Sequence, residues 1–169
     1  PFYEGLYIVR FYVNATNGLG EPQLFNDYTR FYVDTMAPTV SFVSPTETSG
    51  IWVNANTIYA NVSVVEGNPK NITYTLYNSS WSNVSVFSMA NQFSNITFNW
   101  SGLADGTYYY NVSVIDVAGR FNSTETRQIN LDTTYPLISY AARIVVDGAN
   151  LSQSFVFAEV DATELNEKN

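Results

Sequence analysis

The segment DTMAPTVSF at residues 34–42 recurs 98 residues later as DTTYPLISY at residues 132–140. At the same offset, VSVVEGNPKN at residues 62–71 is matched without a gap by VDATELNEKN at residues 160–169. Similarity at a fixed offset indicates an array of repeated structural units. A period of 98 residues is close to the roughly 100 residues of an immunoglobulin-type β-sandwich.

A third match relates residues 5–18 to residues 106–119, at an offset of 101, so the loop that follows is three residues longer in the first copy. The three collinear matches predict how the chain is divided. Residues 1–35 would be the C-terminal strands of a first domain, residues 36–133 a complete domain, and residues 134–169 the N-terminal strands of a third. Both ends of the sequence would then fall inside domains.

The composition favours a folded all-β protein. Aromatic residues make up 16% of the chain and charged residues only 13%, whereas an ordinary soluble domain has about 25% charged residues. Disordered chains have few aromatics and many charges, which is the opposite pattern. The aromatic excess is typical of strands.

Apolar and polar residues alternate along several segments of residues 36–133, which predicts strands with one buried and one solvent-exposed face. The fold class is therefore all-β, with antiparallel β-sandwich domains arranged head to tail. The residues predicted to face inward are Ile58, Ala60, Val62, Val64, Ile72, Tyr74, Leu76, Ile96, Phe98, Trp100, Tyr108, Tyr110, Val112 and Val114.

The stretch LADGTY at residues 103–108, followed by YNVSV at 110–114 and DVAG at 116–119, resembles the sixth strand of bacterial and archaeal immunoglobulin-like repeats of surface proteins. The resemblance implies that Tyr108 is a tyrosine-corner residue whose hydroxyl bonds to the chain upstream, with Tyr7 as its counterpart. Both cysteines of antibody-type domains are absent, so no inter-sheet disulfide is expected. Such domains act as stalks, adhesins, or lattice and filament subunits, so the fold alone does not choose a function.

Asn-x-Ser/Thr acceptor sequences are more frequent than the composition alone would produce. The ten acceptor residues are Asn14, Asn61, Asn71, Asn78, Asn83, Asn95, Asn99, Asn111, Asn122 and Asn150. One explanation is that residues i and i+2 share a face of a strand, so a polar face built of Asn, Ser and Thr generates these sequences automatically. The other is N-glycosylation.

An aromatic residue precedes five of the ten asparagines by two positions: Tyr12, Tyr59, Trp81, Phe93 and Tyr109. On a strand, that ring lies on the same face as the asparagine and can stack against the first sugar. The alternative is that tyrosine simply favours strands. Because exposed rings lower solubility unless something covers them, we interpret the pattern as N-glycosylation. Dense Asn-linked glycosylation without cysteine favours an archaeal surface glycoprotein.

Carboxylates recur near the predicted domain junctions, where oxygen ligands are suited to calcium. Asp34 and Asp132 precede the junction prolines, Glu66 and Glu164 follow the second strand of each copy, and Asp116 lies in the turn after the sixth strand. Solvated turn residues are the alternative explanation, because Asp is common in turns. Calcium is therefore a candidate cofactor at the junctions.

Several classes of function are disfavoured. The chain has neither His nor Cys, so the usual general bases, thiol nucleophiles and zinc ligands are missing, and we predict that it is not an enzyme. Seven basic residues and a net charge of −8 argue against nucleic acid as a partner. No run of 18 apolar residues predicts a membrane span.

We therefore expect an extracellular, cell-surface structural subunit: an N-glycosylated filament, stalk or surface layer whose partners are neighbouring copies of itself. The alternative is an adhesin that binds carbohydrate or a partner surface through exposed aromatics such as Trp52, Tyr77 and Trp81. Rings gathered in one patch would favour binding, whereas rings paired with occupied asparagines would favour shielding. A third hypothesis is assembly by donation of a strand between subunits.

Overall fold

The computed structural model describes residues 3–90, 96–141, 145, 147–164 and 166. The predicted acceptor Asn95 and its neighbour Phe93 lie outside the described residues. All regular structure in the described part of the chain is β-strand, which confirms the all-β class. The strands are β1 (Gly5–Thr16), β2 (Pro22–Val33), β3 (Thr39–Phe42), β4 (Ile51–Val53), β5 (Thr57–Val65), β6 (Pro69–Asn78), β7 (Asn83–Ala90), β8 (Ile96–Ser101), β9 (Gly106–Asp116), β10 (Phe121–Ser123), β11 (Arg127–Leu131), β12 (Leu137–Tyr140) and β13 (Val160–Thr163).

Strands β3 to β11 form two sheets. One has three strands in the order β3-β5-β8, and the other has the order β4-β11-β9-β6-β7, with β10 also paired to β9. All of these pairings are antiparallel except β11 with β4. The inward-facing residues of both sheets share one core, as in a β-sandwich.

Strand β1 pairs only with β2, and β12 pairs only with β13. Nearly all side chains of these two hairpins are exposed, in contrast to the alternating burial of β5, β6 and β9. The division into residues 1–35, 36–133 and 134–169, and the head-to-tail arrangement of immunoglobulin-like domains, remain predictions.

The alternating sequence pattern identified the core correctly. Of the fourteen residues predicted to face inward, ten are buried: Ile58, Ala60, Val62, Ile72, Tyr74, Leu76, Trp100, Tyr110, Val112 and Val114. The other four, Val64, Ile96, Phe98 and Tyr108, are partly buried against the same core. This follows from the two-residue period of a strand, which sends alternate side chains to opposite faces.

Both predicted tyrosine corners are present. The Tyr108 hydroxyl donates a hydrogen bond to the Ala104 carbonyl oxygen at 3.1 Å, and the Tyr7 hydroxyl donates to the Tyr3 carbonyl oxygen at 2.9 Å. Each bond spans four residues and ties the start of a long strand to the loop before it. The corner therefore occurs in both copies of the repeated segment.

Replacing Tyr108 with phenylalanine removes this bond and leaves the ring in place. We expect the free energy of unfolding to fall by about 1 kcal/mol, the usual net value of one hydrogen bond. Urea denaturation of the variant measures the loss. Tyr109→Phe is the matched control, because Tyr109 lies next in the same strand and contributes its ring to a stack with Trp81. Equal losses in the two variants would contradict a specific role for the corner.

Candidate functional sites at the linkers and on the outer faces

Two short segments join the hairpins to the sandwich: the first linker (residues 34–38) and the second linker (residues 132–136). In the first, the backbone N–H and hydroxyl of Thr35 both donate to Glu4 Oε1. In the second, the N–H and hydroxyl of Thr133 donate to Asp105 Oδ1 at 2.9 and 2.8 Å, and the Thr134 hydroxyl donates to Asp105 Oδ2 at 2.7 Å. The carboxylate before each long strand therefore holds the linker that follows.

These hydrogen bonds stabilise the ionised carboxylates. The bonds from Thr134 and Thr133 lower the pKa of Asp105 from its ordinary value, and those from Thr35 lower the pKa of Glu4. A lowered pKa in the folded state means that the stabilisation is complete above the ordinary pKa and is lost as the pH falls through the lowered one. The linker contacts should therefore weaken only in acid.

An NMR titration of the side-chain carboxyl of Asp105 tests this directly. We expect its midpoint below the unperturbed aspartate value of about 3.9, with the amide signals of Thr133 and Thr134 shifting at the same pH. In Asp105→Asn those amide shifts should disappear. A midpoint at or above the unperturbed value would contradict the linker contact.

Three of the five predicted metal ligands come together at the first linker. Asp34 begins that linker, Glu66 follows β5, and Asp116 ends β9. One carboxylate oxygen from each residue lies within 4.8 Å of the other two. Three loops that are distant in the sequence therefore deliver oxygen ligands to one point.

Asp116 is the most unusual member of this carboxylate cluster (Asp34, Glu66 and Asp116). Its residue is fully buried, with 0% of its surface exposed. Its Oδ1 accepts a hydrogen bond of 2.8 Å from the Arg120 N–H, which closes the β9–β10 turn, but its Oδ2 is buried and has no hydrogen-bond partner. Buried carboxylate oxygens are normally paired or bound to a metal.

Asn68 connects the other two carboxylates. Its backbone N–H donates to Glu66 Oε1 at 2.7 Å, and its side-chain amide donates to Asp34 Oδ2 at 3.3 Å. The Arg120 side chain also approaches, but its Nε donates to the Asp34 carbonyl oxygen at 3.3 Å. Among the described residues, no lysine or arginine forms an ion pair with any carboxylate of the cluster.

The remaining two predicted ligands repeat part of this arrangement at the second linker. The Asn166 N–H donates to Glu164 Oε1 at 3.3 Å, and its side-chain amide donates to Asp132 Oδ2 at 3.0 Å. A cavity of about 300 Å³ adjoins them and is also lined by Trp52. No third carboxylate joins this pair within the described part of the chain. Asp132 and Glu164 therefore form a partial copy of the cluster.

The nine acceptor asparagines inside the described residues differ in exposure. Five are exposed: Asn14, Asn83, Asn99, Asn122 and Asn150. Four are partly buried: Asn61, Asn71, Asn78 and Asn111. The acceptor sequences thus do not all sit on equally open surface.

Several of these amides are already hydrogen bonded. Asn61 Nδ2 donates to the Ser44 carbonyl oxygen at 2.6 Å, and Asn61 Oδ1 accepts from the Thr97 hydroxyl at 3.1 Å. Asn122 Nδ2 donates to the Pro38 carbonyl oxygen at 2.9 Å, which fastens the first linker to β10. These side chains therefore have structural contacts independent of any sugar.

The pairing of strands adds a relation between aromatics and acceptor asparagines that the sequence does not reveal. Tyr59 lies directly opposite Asn99 in the β5–β8 pair, and Tyr77 lies opposite Asn83 in the β6–β7 pair. Directly opposite side chains are about 5 Å apart at Cβ, within reach of an aromatic ring. Sequence spacing misses these pairs because they depend on strand register.

A cluster of exposed rings lies on the outer face of the larger sheet. Trp81 stacks on Tyr109, with ring centroids 4.2 Å apart and planes 12° from parallel, and the Tyr77 ring lies 5.9 Å from Trp81. Trp81 adopts a left-handed backbone conformation, with φ of 59°, and is 58% exposed. A non-glycine residue in this region is uncommon and requires support from its surroundings, which the stack supplies.

No family model and no curated protein matches the chain. Three similar solved structures are an engineered protein (19% identity, TM-score 0.43), dimeric latent PorU from Porphyromonas gingivalis (12%, 0.44) and a DUF3823 family protein from Bacteroides uniformis (14%, 0.43). They cover 56%, 79% and 78% of this chain, which in turn spans 20%, 13% and 76% of theirs. At these TM-scores the likeness defines neither a family nor a function. The described residues include no helix of the length and apolarity that crossing a bilayer requires.

Proposed function

We propose that this chain is part of an extracellular, N-glycosylated structural array of immunoglobulin-like domains, whose partners are neighbouring copies and whose work is mechanical rather than catalytic. The observation that carries the proposal is the repetition of contacts at the two linkers. Each linker threonine is held by the carboxylate before the preceding long strand, as Thr35 is by Glu4 and Thr133 by Asp105. Each linker aspartate accepts from an asparagine further along the chain.

A linker held from both sides transmits orientation and force from one unit to the next, whereas a loose tether does neither. The first linker is bonded to Glu4 on one side and, through the Pro38 carbonyl oxygen, to Asn122 on the other. The second is bonded to Asp105 and to Asn166. Recurrence of this arrangement is what a filament, stalk or surface layer of repeated domains requires.

The outer faces support the glycoprotein part of the proposal. Exposed rings beside acceptor asparagines, such as Tyr59 beside Asn99 and Tyr77 beside Asn83, would be covered by the first sugars of attached glycans. Glycans would also solvate a surface with little charge and shield the β7 edge strand against unwanted pairing. The chain's lack of His and Cys agrees with a role without catalysis.

Glycopeptide mass spectrometry of the native protein tests the glycoprotein proposal. We expect high occupancy at the exposed Asn83 and Asn99 and lower occupancy at Asn61, whose amide is engaged on both its atoms. Ser101→Ala destroys the acceptor sequence of Asn99 while leaving the asparagine, so it serves as the control for that site. Bare asparagines at every acceptor position would refute glycosylation.

A second candidate function is carbohydrate binding, because Tyr77, Trp81 and Tyr109 gather in one patch rather than standing apart. Flat aromatic faces suit the C–H surface of a sugar. Trp52, the other tryptophan considered for binding, lies at the second linker and not in this patch. Binding of the unglycosylated chain to a glycan panel, abolished by Trp81→Ala, would favour the adhesin. Absence of binding would favour the structural array.

A further inference from the structure

We propose that the carboxylate cluster of Asp34, Glu66 and Asp116 is a calcium site that fixes the first linker to the sandwich. An acidic cluster alone would not justify this step. The independent observation is Asp116 Oδ2, which is fully buried, lacks a hydrogen-bond partner and belongs to the carboxyl group that meets the other two. A cation in their midst would supply the missing partner.

The charges around the cluster leave this role open for an ion. Three carboxylates repel one another when they are close, and burial of one of them weakens the screening by water. Arg120 is the nearest basic residue in the contacts described above, yet its Nε is directed to the Asp34 carbonyl oxygen. Since no ion pair neutralises the cluster among the described residues, the compensating charge must come from outside the chain.

The ligand chemistry selects calcium. All three ligands are carboxylate oxygens, and the chain has no His or Cys to attract zinc. Calcium binds oxygen at about 2.4 Å, so two oxygens on opposite sides of one ion lie about 4.8 Å apart. The oxygens of the cluster fall within that limit. Calcium also tolerates irregular ligands from loops, whereas magnesium requires a near-octahedral set.

The position of the site gives it a mechanical consequence. Asp34 belongs to the first linker, while Glu66 and Asp116 belong to two different loops of the sandwich. One bound ion would therefore join the linker, the β5–β6 loop and the β9–β10 turn. This inference does not depend on glycosylation, and bare asparagines would leave it untouched.

The test is thermal unfolding of the whole chain in 10 mM calcium and in excess chelator, with calorimetric titration of calcium alone. Extracellular calcium modules bind with dissociation constants of about 0.1–1 mM, so 10 mM is a tenfold to hundredfold excess. We expect one ion per chain and a midpoint raised by about 5 °C or more. One ion is expected because Asp132 and Glu164 have no third carboxylate among the described residues.

Asp116→Asn should lower the calcium affinity at least tenfold. In chelator, however, its midpoint should equal or exceed that of the parent, because the new amide can donate to Asp34 or Glu66 where two carboxylates repelled. Glu66→Gln is the second variant, should Asp116→Asn fail to fold, and it should also bind at least tenfold more weakly. Asp27→Asn removes the same charge from exposed β2 and should behave as the parent does.

Three results would overturn the proposal. The first is an absence of both heat and midpoint shift on adding calcium to the parent chain. The second is an unchanged calcium response in Asp116→Asn or in Glu66→Gln, which would place the ion elsewhere. The third is an equal response to magnesium at equal concentration, which would contradict the assignment of calcium.

Discussion

Replacing Trp100 with alanine should lower the free energy of unfolding by about 3–5 kcal/mol, the usual cost of removing a large buried aromatic. Trp100 lies on β8 in the three-stranded sheet and is only 4% exposed. Its ring centroid is 5.8 Å from that of Tyr110 and 6.5 Å from that of Tyr74, both in the opposite sheet. It therefore joins the two layers in a chain that has no disulfide. Urea denaturation followed by circular dichroism measures the loss.

Two further variants sharpen this prediction. The Trp100 Nε1 is buried without a hydrogen-bond partner, and such a group costs about 1–3 kcal/mol. Trp100→Phe removes that group while keeping a ring, so it should cost much less than alanine. Trp52→Ala is the exposed control and should change stability little, because that residue is 45% exposed. A loss below about 1 kcal/mol in Trp100→Ala would contradict a core built around this residue.

Raising the pH from 8 to 11 should lower the free energy of unfolding by roughly 3 kcal/mol through two buried tyrosines. Burial raises the pKa of Tyr110 to about 12 and raises that of Tyr74 further. A raised pKa in the folded state means that the unfolded chain loses these protons first, near pH 10. Stability is therefore complete below pH 10 and falls as the pH rises above it.

The tyrosine ultraviolet signal provides the check. The chain has thirteen tyrosines. We expect the signals of Tyr74 and Tyr110 to titrate only as the fold is lost, well after the exposed tyrosines. Tyr110→Phe should remove about half of the alkaline destabilisation. Ionisation of all thirteen together near pH 10 in the folded protein would show that these rings are not buried.

Much of the sandwich was predictable because strand periodicity is local. Alternation along β5, β6 and β9 identified Ile72, Leu76 and Val112 as core residues, and their burial confirms it. The tyrosine corner was also predictable, since Tyr108 bonds only four residues upstream. Both features depend on neighbours in sequence, where residue type and spacing carry the information.

Features that depend on strand register or on loops meeting in space were harder to predict. The sequence marked Asp34, Glu66 and Asp116 as candidate ligands, but it could not show that the Asp116 carboxylate is buried with an oxygen lacking a partner. The contact of Asp105 with Thr133 was missed, although its residues lie 28 apart. A signal existed in the acidic residue that precedes the long strand in both copies, Glu4 and Asp105.

Cryo-electron microscopy of the native assembly, at a resolution that separates strands, tests the structural array most directly. We predict successive β-sandwich units related by one recurring rotation and spaced by about 35 Å, the length of a ten-residue strand. Sugar density should project from exposed acceptors such as Asn83 and Asn99. An isolated molecule with no repeated neighbour, or units joined by linkers without a fixed geometry, would contradict the account.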